Sequence, residues 1–168
     1  MNKLSTNYGF SLTELITTIA ILGILLAIAT LNFSSWTRKS QIEKQTKELY
    51  SDFNTVRSES IFRKMRHSII MNTDGSGYVM KRYSSADEPT SAGTTLSTIN
   101  SQFLLKDKDN ANFISGNRTF MFDIRGLASD WNTIRVNPSD SGAVFDCVVV
   151  DTGRTNLGRM VGGACVQQ

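Results

Sequence analysis

The sequence is poor in the residues that build chemical centres. Its 168 residues hold one histidine, His67, and two cysteines, Cys147 and Cys165. A closed zinc site wants four nitrogen or sulfur ligands, so no metal site and no cofactor are expected. A catalytic triad would have to rely on His67 alone, and no G-x-S-x-G frame accompanies it; the residues point away from an enzyme. Proline is scarce, with two residues, against 12 Gly, 40% hydrophobic and 20% charged residues. That balance excludes a collagen-like repeat, a disordered tail and a disulfide-dense scaffold. An excess of one charge is also lacking: 18 Lys+Arg against 15 Asp+Glu leave +3, too little to declare a nucleic-acid binder. The length suits one ordinary domain with an appendage, or two small domains.

What the sequence does have is a long apolar run near its start. Leu15 to Leu31 reads LITTIAILGILLAIATL, 17 positions without a charge. With Phe10–Leu12 before it and Phe33 after it, a helix of about 24 residues would be roughly 36 Å long. A hydrocarbon core of about 30 Å could be crossed by it. Glu14 stands at the head of the run. A carboxylate inside a membrane helix costs about 2.5–3.5 kcal/mol, so it calls for a function and a partner. Three plain readings of the segment stay open. Ala27-Ile28-Ala29 is a small-x-small site for cleavage of a secretory signal. Against that reading stand the acidic residue and a helical pattern continuing past Thr30. Ser11-Leu12-Thr13-Glu14 also fits a capping box, and the run would serve as a simple anchor.

Beyond Arg38-Lys39 the pattern becomes amphipathic. Ile42, Leu49, Phe53, Val56 and Ser60/Ile61 recur at the period of a helix laying one face on a core. No Pro or Gly interrupts residues 24–74, so the spacing predicts one helix from about Ser11 to Met65. Arg57, Arg63, Lys64 and Arg66 outnumber Glu59 near its end. They read as a solvated face complementing the helix dipole, with an anion-binding patch as the alternative. From His67 the grammar is that of strands. His67–Met71 and Tyr78–Tyr83 flank an Asp-Gly turn cluster. Residues 84–95 form a polar loop, Leu96–Leu105 another strand, and Lys106–Asn112 a charged loop. Arg118–Gly126, Trp131–Val136 and Ala143–Val150 complete an antiparallel sheet, and residues 152–160 read as a closing loop. The fold class is α+β, a long helix packed on a β-rich domain. Asp107-x-Asp109-Asn110-x-Asn112 has some of the residues of a calcium loop. Ala111 at the fifth position, and no Gly or Glu in register, make it a polar surface loop.

Lys3, then Gly9-Phe10-Ser11-Leu12-Thr13-Glu14-Leu15, then the apolar run, resemble the class III leader of type IV pilins and type II secretion pseudopilins. The resemblance implies a leader of residues 1–9, cut between Gly9 and Phe10 by a prepilin peptidase, and N-methylation of Phe10. Glu14 becomes the fifth residue of the mature chain, positioned to compensate the new α-amine of a neighbouring subunit; burying either charge unpaired would cost several kcal/mol. Residues 10–33 would form the transmembrane and filament-core helix, 34–66 an amphipathic continuation, and 67–168 the globular pilin domain. Arg57-Ser58-Glu59-Ser60-Ile61, Phe122-Asp123-x-x-Gly126 and Val148-Val149-Val150-x-x-Gly153-Arg154 are similar to FimT-type minor pilins and H-type minor pseudopilins.

By that resemblance the chain is expected to be a minor pilin subunit acting in type IV pilus assembly and initiation, or alternatively a type II secretion pseudopilin. Its partners would be other major and minor pilins, the prepilin peptidase and the inner-membrane assembly platform. It would sit single-pass in the bacterial inner membrane with its C-terminal domain in the periplasm, then in the pilus or pseudopilus. In that oxidising compartment Cys147 and Cys165 most simply pair, closing a loop with 17 residues between them. Such a bond contributes about 3 kcal/mol in the chain-entropy model; two free buried thiols are the alternative. Gly153-Arg154-Thr155-Asn156 partly matches a Gly-Arg-x-Arg stretch associated with DNA binding in FimT-like minor pilins. Arg154 and Arg159 are therefore candidate DNA contacts for natural transformation, with structural or solvent-facing arginines as the alternative.

Overall fold

A computed structural model describes residues 9–113, 119–139 and 141–167, apart from the side chains of residues 28–32. The chain divides into two compact units, residues 1–37 and 38–168. Helix α1 spans Leu12–Arg63, within two residues of the expected bounds at either end.

In the first unit the described apolar side chains are exposed. Leu15, Ile16, Ile19, Ile21, Leu22, Ile24, Leu25 and Leu26 are all more than half exposed. They point to every side of the helix, so no single face is reserved for a core. Thr17 and Thr18 return their hydroxyls to backbone carbonyls, Thr17 Oγ1 to Thr13 O at 3.0 Å and Thr18 Oγ1 to Leu15 O at 2.8 Å. Bonded in this way, these two hydroxyls do not oppose an apolar medium. Among the described residues no helix is long and apolar enough to cross a membrane. The expected span over 10–33 takes in positions 28–32, whose side chains lie outside the described residues.

The second unit carries the core. Ile42, Thr46, Leu49, Phe53, Val56 and Ser60 on α1 are all buried, a strict alternation of steps of three and four that makes one helical stripe. Ser60, not Ile61, completes it; Ile61 is 43% exposed. Thr46 and Ser60 are tolerated there because each hydroxyl donates to a carbonyl one turn back, Thr46 to Ile42 O and Ser60 to Val56 O, both at 2.8 Å.

Nine strands follow: β1 (His67–Met71), β2 (Gly77–Arg82), β3 (Thr94–Asn100), β4 (Leu105–Asp107), β5 (Thr119–Phe122), β6 (Asn132–Val136), β7 (Cys147–Val150), β8 (Thr155–Val161) and β9 (Ala164–Gln167). They form two antiparallel sheets, ordered β3-β2-β1-β5 and β4-β6-β7-β8-β9. Phe53 of the helix meets Phe120 edge-on at 5.1 Å and Phe122 at 6.2 Å. Ile69 and Met71 come from β1, Leu105 from β4, and Ile134, Val136, Val148 and Val150 from the second sheet, all into one cluster.

Three expectations need correction. The single strand expected over Leu96–Leu105 is two strands in different sheets. The chain leaves the first sheet after Asn100, where the Gln45 side chain holds Phe103 by both backbone groups, Nε2 to Phe103 O at 2.7 Å and Phe103 N to Oε1 at 2.8 Å. The strand expected over Arg118–Gly126 stops at Phe122, because Asp123 turns the chain by accepting the amides of Arg125 at 2.8 Å and Leu127 at 2.9 Å; Arg118 itself lies outside the described residues. The stretch 152–160, expected as a closing loop, instead holds all but the last residue of strand β8, which forms a hairpin with β9. Gly162 and Gly163 both have positive φ, 58° and 87°. That is the two-residue turn which matches the twist of flanking strands.

Candidate functional sites

At the N-terminus, Ser11 precedes the first helical residue and accepts the amide of Leu15 at 3.1 Å. The Glu14 carboxylate reaches back to the Ser11 amide at 3.0 Å. This is the reciprocal half of a capping box, so Glu14 has a local structural role. Phe10 lies just outside the helix and is 86% exposed; Gly9 has nothing within 4 Å of where a Cβ would stand. Among the described residues Gly9 and Phe10 are thus both exposed at the end of a capped helix. The Glu14 carboxylate lies in its first turn, where the helix dipole already favours negative charge.

In the second unit, Cys147 and Cys165 are joined by a disulfide with Cα atoms 6.1 Å apart. The bond passes over a strand: β7 and β9 flank β8, and Cys147 lies opposite Gly158. A Cβ on Gly158 would come within 2.6 Å of Cys165 Sγ and of Val166 O. Glycine is therefore what lets the bridge cross, and this residue was not singled out by sequence reasoning.

Arg154 and Arg159 are both exposed, and neither forms an ion pair among the described residues. Arg154 precedes β8 and Arg159 lies within it, five residues on, or about 17 Å along an extended strand. They do not converge on one point. Arg57, expected on a solvated helix face, instead donates Nη2 to Asp151 O at 3.2 Å and stacks over the Phe122 ring at 5.4 Å. Burial lowers its guanidinium below the ordinary value, with Asp151 opposing. Arg66 is also in use: its guanidinium donates to Glu88 O at 2.6 Å and lies over the Tyr83 ring at 5.3 Å. The Arg63 guanidinium pairs with Glu59 on the same helix. Three of the four helix cations are thus committed within the chain.

Asp107 Oδ1 accepts the amides of Asp109 at 3.0 Å and Ala111 at 2.9 Å, a turn built on its own carboxylate. Among the described residues no group of three or more His, Cys, Asp or Glu could hold a metal ion. His67 is buried, with Nδ1 3.0 Å from Met65 O.

Against known proteins, residues 4–30 match the family model of the prokaryotic N-terminal methylation motif. No curated protein sequence matches the chain. Among solved structures, the type IV minor pilin FimU of Pseudomonas aeruginosa is similar at TM-score 0.52 and 15% identity, covering 79% of this chain and 97% of FimU. A second crystal form of FimU gives 0.50 and 16%, covering 74% and 97%. The minor pseudopilin EpsH from the type 2 secretion system of Vibrio cholerae gives 0.52 and 10%, covering 70% and 94%. The chain therefore carries, at residues 4–30, the methylation motif of prepilin-type proteins, and it has the fold of minor pilins and minor pseudopilins.

Proposed function

We propose that this chain is a minor pilin subunit of a type IV pilus, cleaved between Gly9 and Phe10, methylated at Phe10, and built into the filament or its initiating tip through its N-terminal helix. One observation carries the reading: the match to the methylation motif covers Gly9, Phe10 and Glu14, at the start of a helix whose apolar side chains are exposed all round. Such a surface needs lipid or other helices around it. In storage the segment would anchor the subunit in the bacterial inner membrane with the C-terminal domain in the periplasm. In assembly, neighbouring pilins would replace the lipid, and Glu14 would compensate a buried α-amine. The prepilin peptidase and the inner-membrane assembly platform are the other partners this reading requires. No catalysis is assigned to the chain.

The minor pseudopilin reading has equal structural support, since EpsH and FimU align at the same TM-score of 0.52. Both readings share the same first test. Mass spectrometry of the chain recovered from its host should find a methylated Phe10 at the N-terminus. An N-terminus at Thr30 would instead establish a secretory signal. In the same host, Glu14→Ala should leave the domain folded, its disulfide formed, and its incorporation into filaments impaired. Normal incorporation of that variant would overturn the assembly role of Glu14.

A further inference from the structure

We infer that β9 is a redox-controlled latch: the Cys147–Cys165 disulfide holds it on the second sheet, and reduction by a dithiol frees residues 162–167 while the rest of the second unit stays folded. β9 is the last strand of its sheet and pairs on one side only, with β8. It is short, Ala164–Gln167, and Ala164, Val166 and Gln167 are exposed. Among the described residues, none of β9 belongs to the hydrophobic cluster, which takes Val148 and Val150 from β7 and has Leu157 of β8 packed against it. The turn leading into β9 stands in open space. Chain neighbours aside, nothing lies within 4 Å of where a Cβ on Gly162 or Gly163 would be. Four backbone pairs and one sulfur bridge are therefore what keep the strand in place. A hairpin with no apolar face beneath it is marginal in water, so the bridge decides whether this one stays closed.

The two sulfurs are not equivalent. Cys147 is fully buried on β7, which is paired on both sides, with β6 and with β8. Cys165 is only half-buried and sits on the edge strand. An incoming thiolate of a dithiol therefore attacks Cys165 Sγ, forming a mixed disulfide and releasing Cys147 as a thiolate that takes up a proton. The second thiol of the reagent then attacks its own sulfur of the mixed disulfide. Cys165 leaves as a thiolate and is protonated in turn, and the reagent is left as a disulfide. Two electrons and two protons pass to the protein. Val148 and Val150 hold β7 in the core whether or not the bridge is present, so the change is confined to β9. Where thiol pools keep disulfides reduced the latch is open, and it closes where the surroundings are oxidising.

The chain has only two cysteines, so both thiols report the change without any substitution. The full chain in detergent micelles would be reduced with dithiothreitol under native conditions and then pulsed with iodoacetamide, the two alkylation rates being read by mass spectrometry. Cys165 should react at least about tenfold faster than Cys147, because it leaves with β9 while Cys147 stays packed. Hydrogen exchange over residues 162–167 should accelerate by a similar factor, with β1, β2 and β6 unmoved. Equal alkylation rates, or exchange rising alike in every strand, would make the bridge a staple of the whole unit and overturn the latch. Unchanged exchange over 162–167 after complete reduction would overturn it too, since β9 would then be held without the bridge. So would a disulfide that resists dithiothreitol until denaturant is added, because a latch must be reached in the folded chain.

Discussion

His67 is the one imidazole in the chain, and burial makes it a reporter of folding. Burial pushes its pKa below the ordinary 6.5, with Arg82 and Arg63 acting in the same direction and Glu59 and the Met65 carbonyl opposing. Its Nε2 has no partner among the described residues. The folded state therefore binds the imidazole proton less readily than the unfolded chain. Stability from this source is complete above the unfolded pKa of 6.5 and is lost as pH falls through and below that value, at up to about 1.4 kcal/mol per pH unit for one proton. Urea unfolding between pH 7 and 5 should show that slope, and His67→Gln should flatten it. An equal slope in the variant would place the titration elsewhere. Arg154 and Arg159 allow a second test at this scale. Were they phosphate contacts, the wild type would bind linear DNA in a salt-sensitive way, and each Arg→Ala change would weaken binding uniformly across sequences and reduce the salt slope by about one. Absent or salt-insensitive binding by the wild type removes that role.

The β8–β9 hairpin shows what the residues disclosed and what they hid. The helix stripe from Ile42 to Val56 was legible because burial along a helix repeats every three or four residues. β1, β2 and the Asp-Gly turn were legible for a similar local reason. The hairpin was hidden: Thr155–Val161 carries Asn156, Gly158 and Arg159, which break the alternation of a strand. The readable signal was Gly162-Gly163, a two-residue turn between two short runs. Gly158 had no local signal at all, because its need arises from a sulfur atom on the neighbouring strand, a tertiary fact. Arg57 and Arg66 were misplaced for the same reason, since their acceptors lie 94 and 22 residues away. Gly158→Ala should therefore act on the whole hairpin. The added methyl meets Cys165 Sγ and a backbone oxygen, both at 2.6 Å, and backbone cannot move aside cheaply. We expect a loss of about 1–3 kcal/mol in chemical denaturation from overpacking, together with a fraction of chains carrying free thiols. If the disulfide is reduced in wild type and variant alike, the difference between them should shrink. A difference that persists in full would assign the cost to the Val166 backbone instead.

The two units obey opposite rules of burial. Among the described residues, every member of the hydrophobic cluster, from Ile42 to Val150, belongs to the second unit. The helix segment from Arg38 onward is held by that cluster through Ile42, Leu49, Phe53 and Val56, so it needs no propensity beyond what tertiary packing supplies. A fragment of residues 38–168 should consequently fold on its own. It should unfold cooperatively in one transition, with a midpoint close to that of the same unit in the detergent-solubilised full chain, because the same packed core sets its stability and the surface exposed on unfolding, and so the denaturant slope, is nearly the same. Residues 10–27 differ: their apolar side chains are exposed, and water is a poor medium for that much hydrocarbon in one piece. The full chain should need detergent or lipid to remain dispersed, and the fragment should not. Near-UV circular dichroism of the fragment decides the matter. A fixed aromatic spectrum from Phe53, Phe120, Phe122 and Tyr78 means that the core packs without the first 37 residues. A featureless one, with far-UV signal retained, would mean that the N-terminal unit contributes to folding in a way the burial pattern does not record.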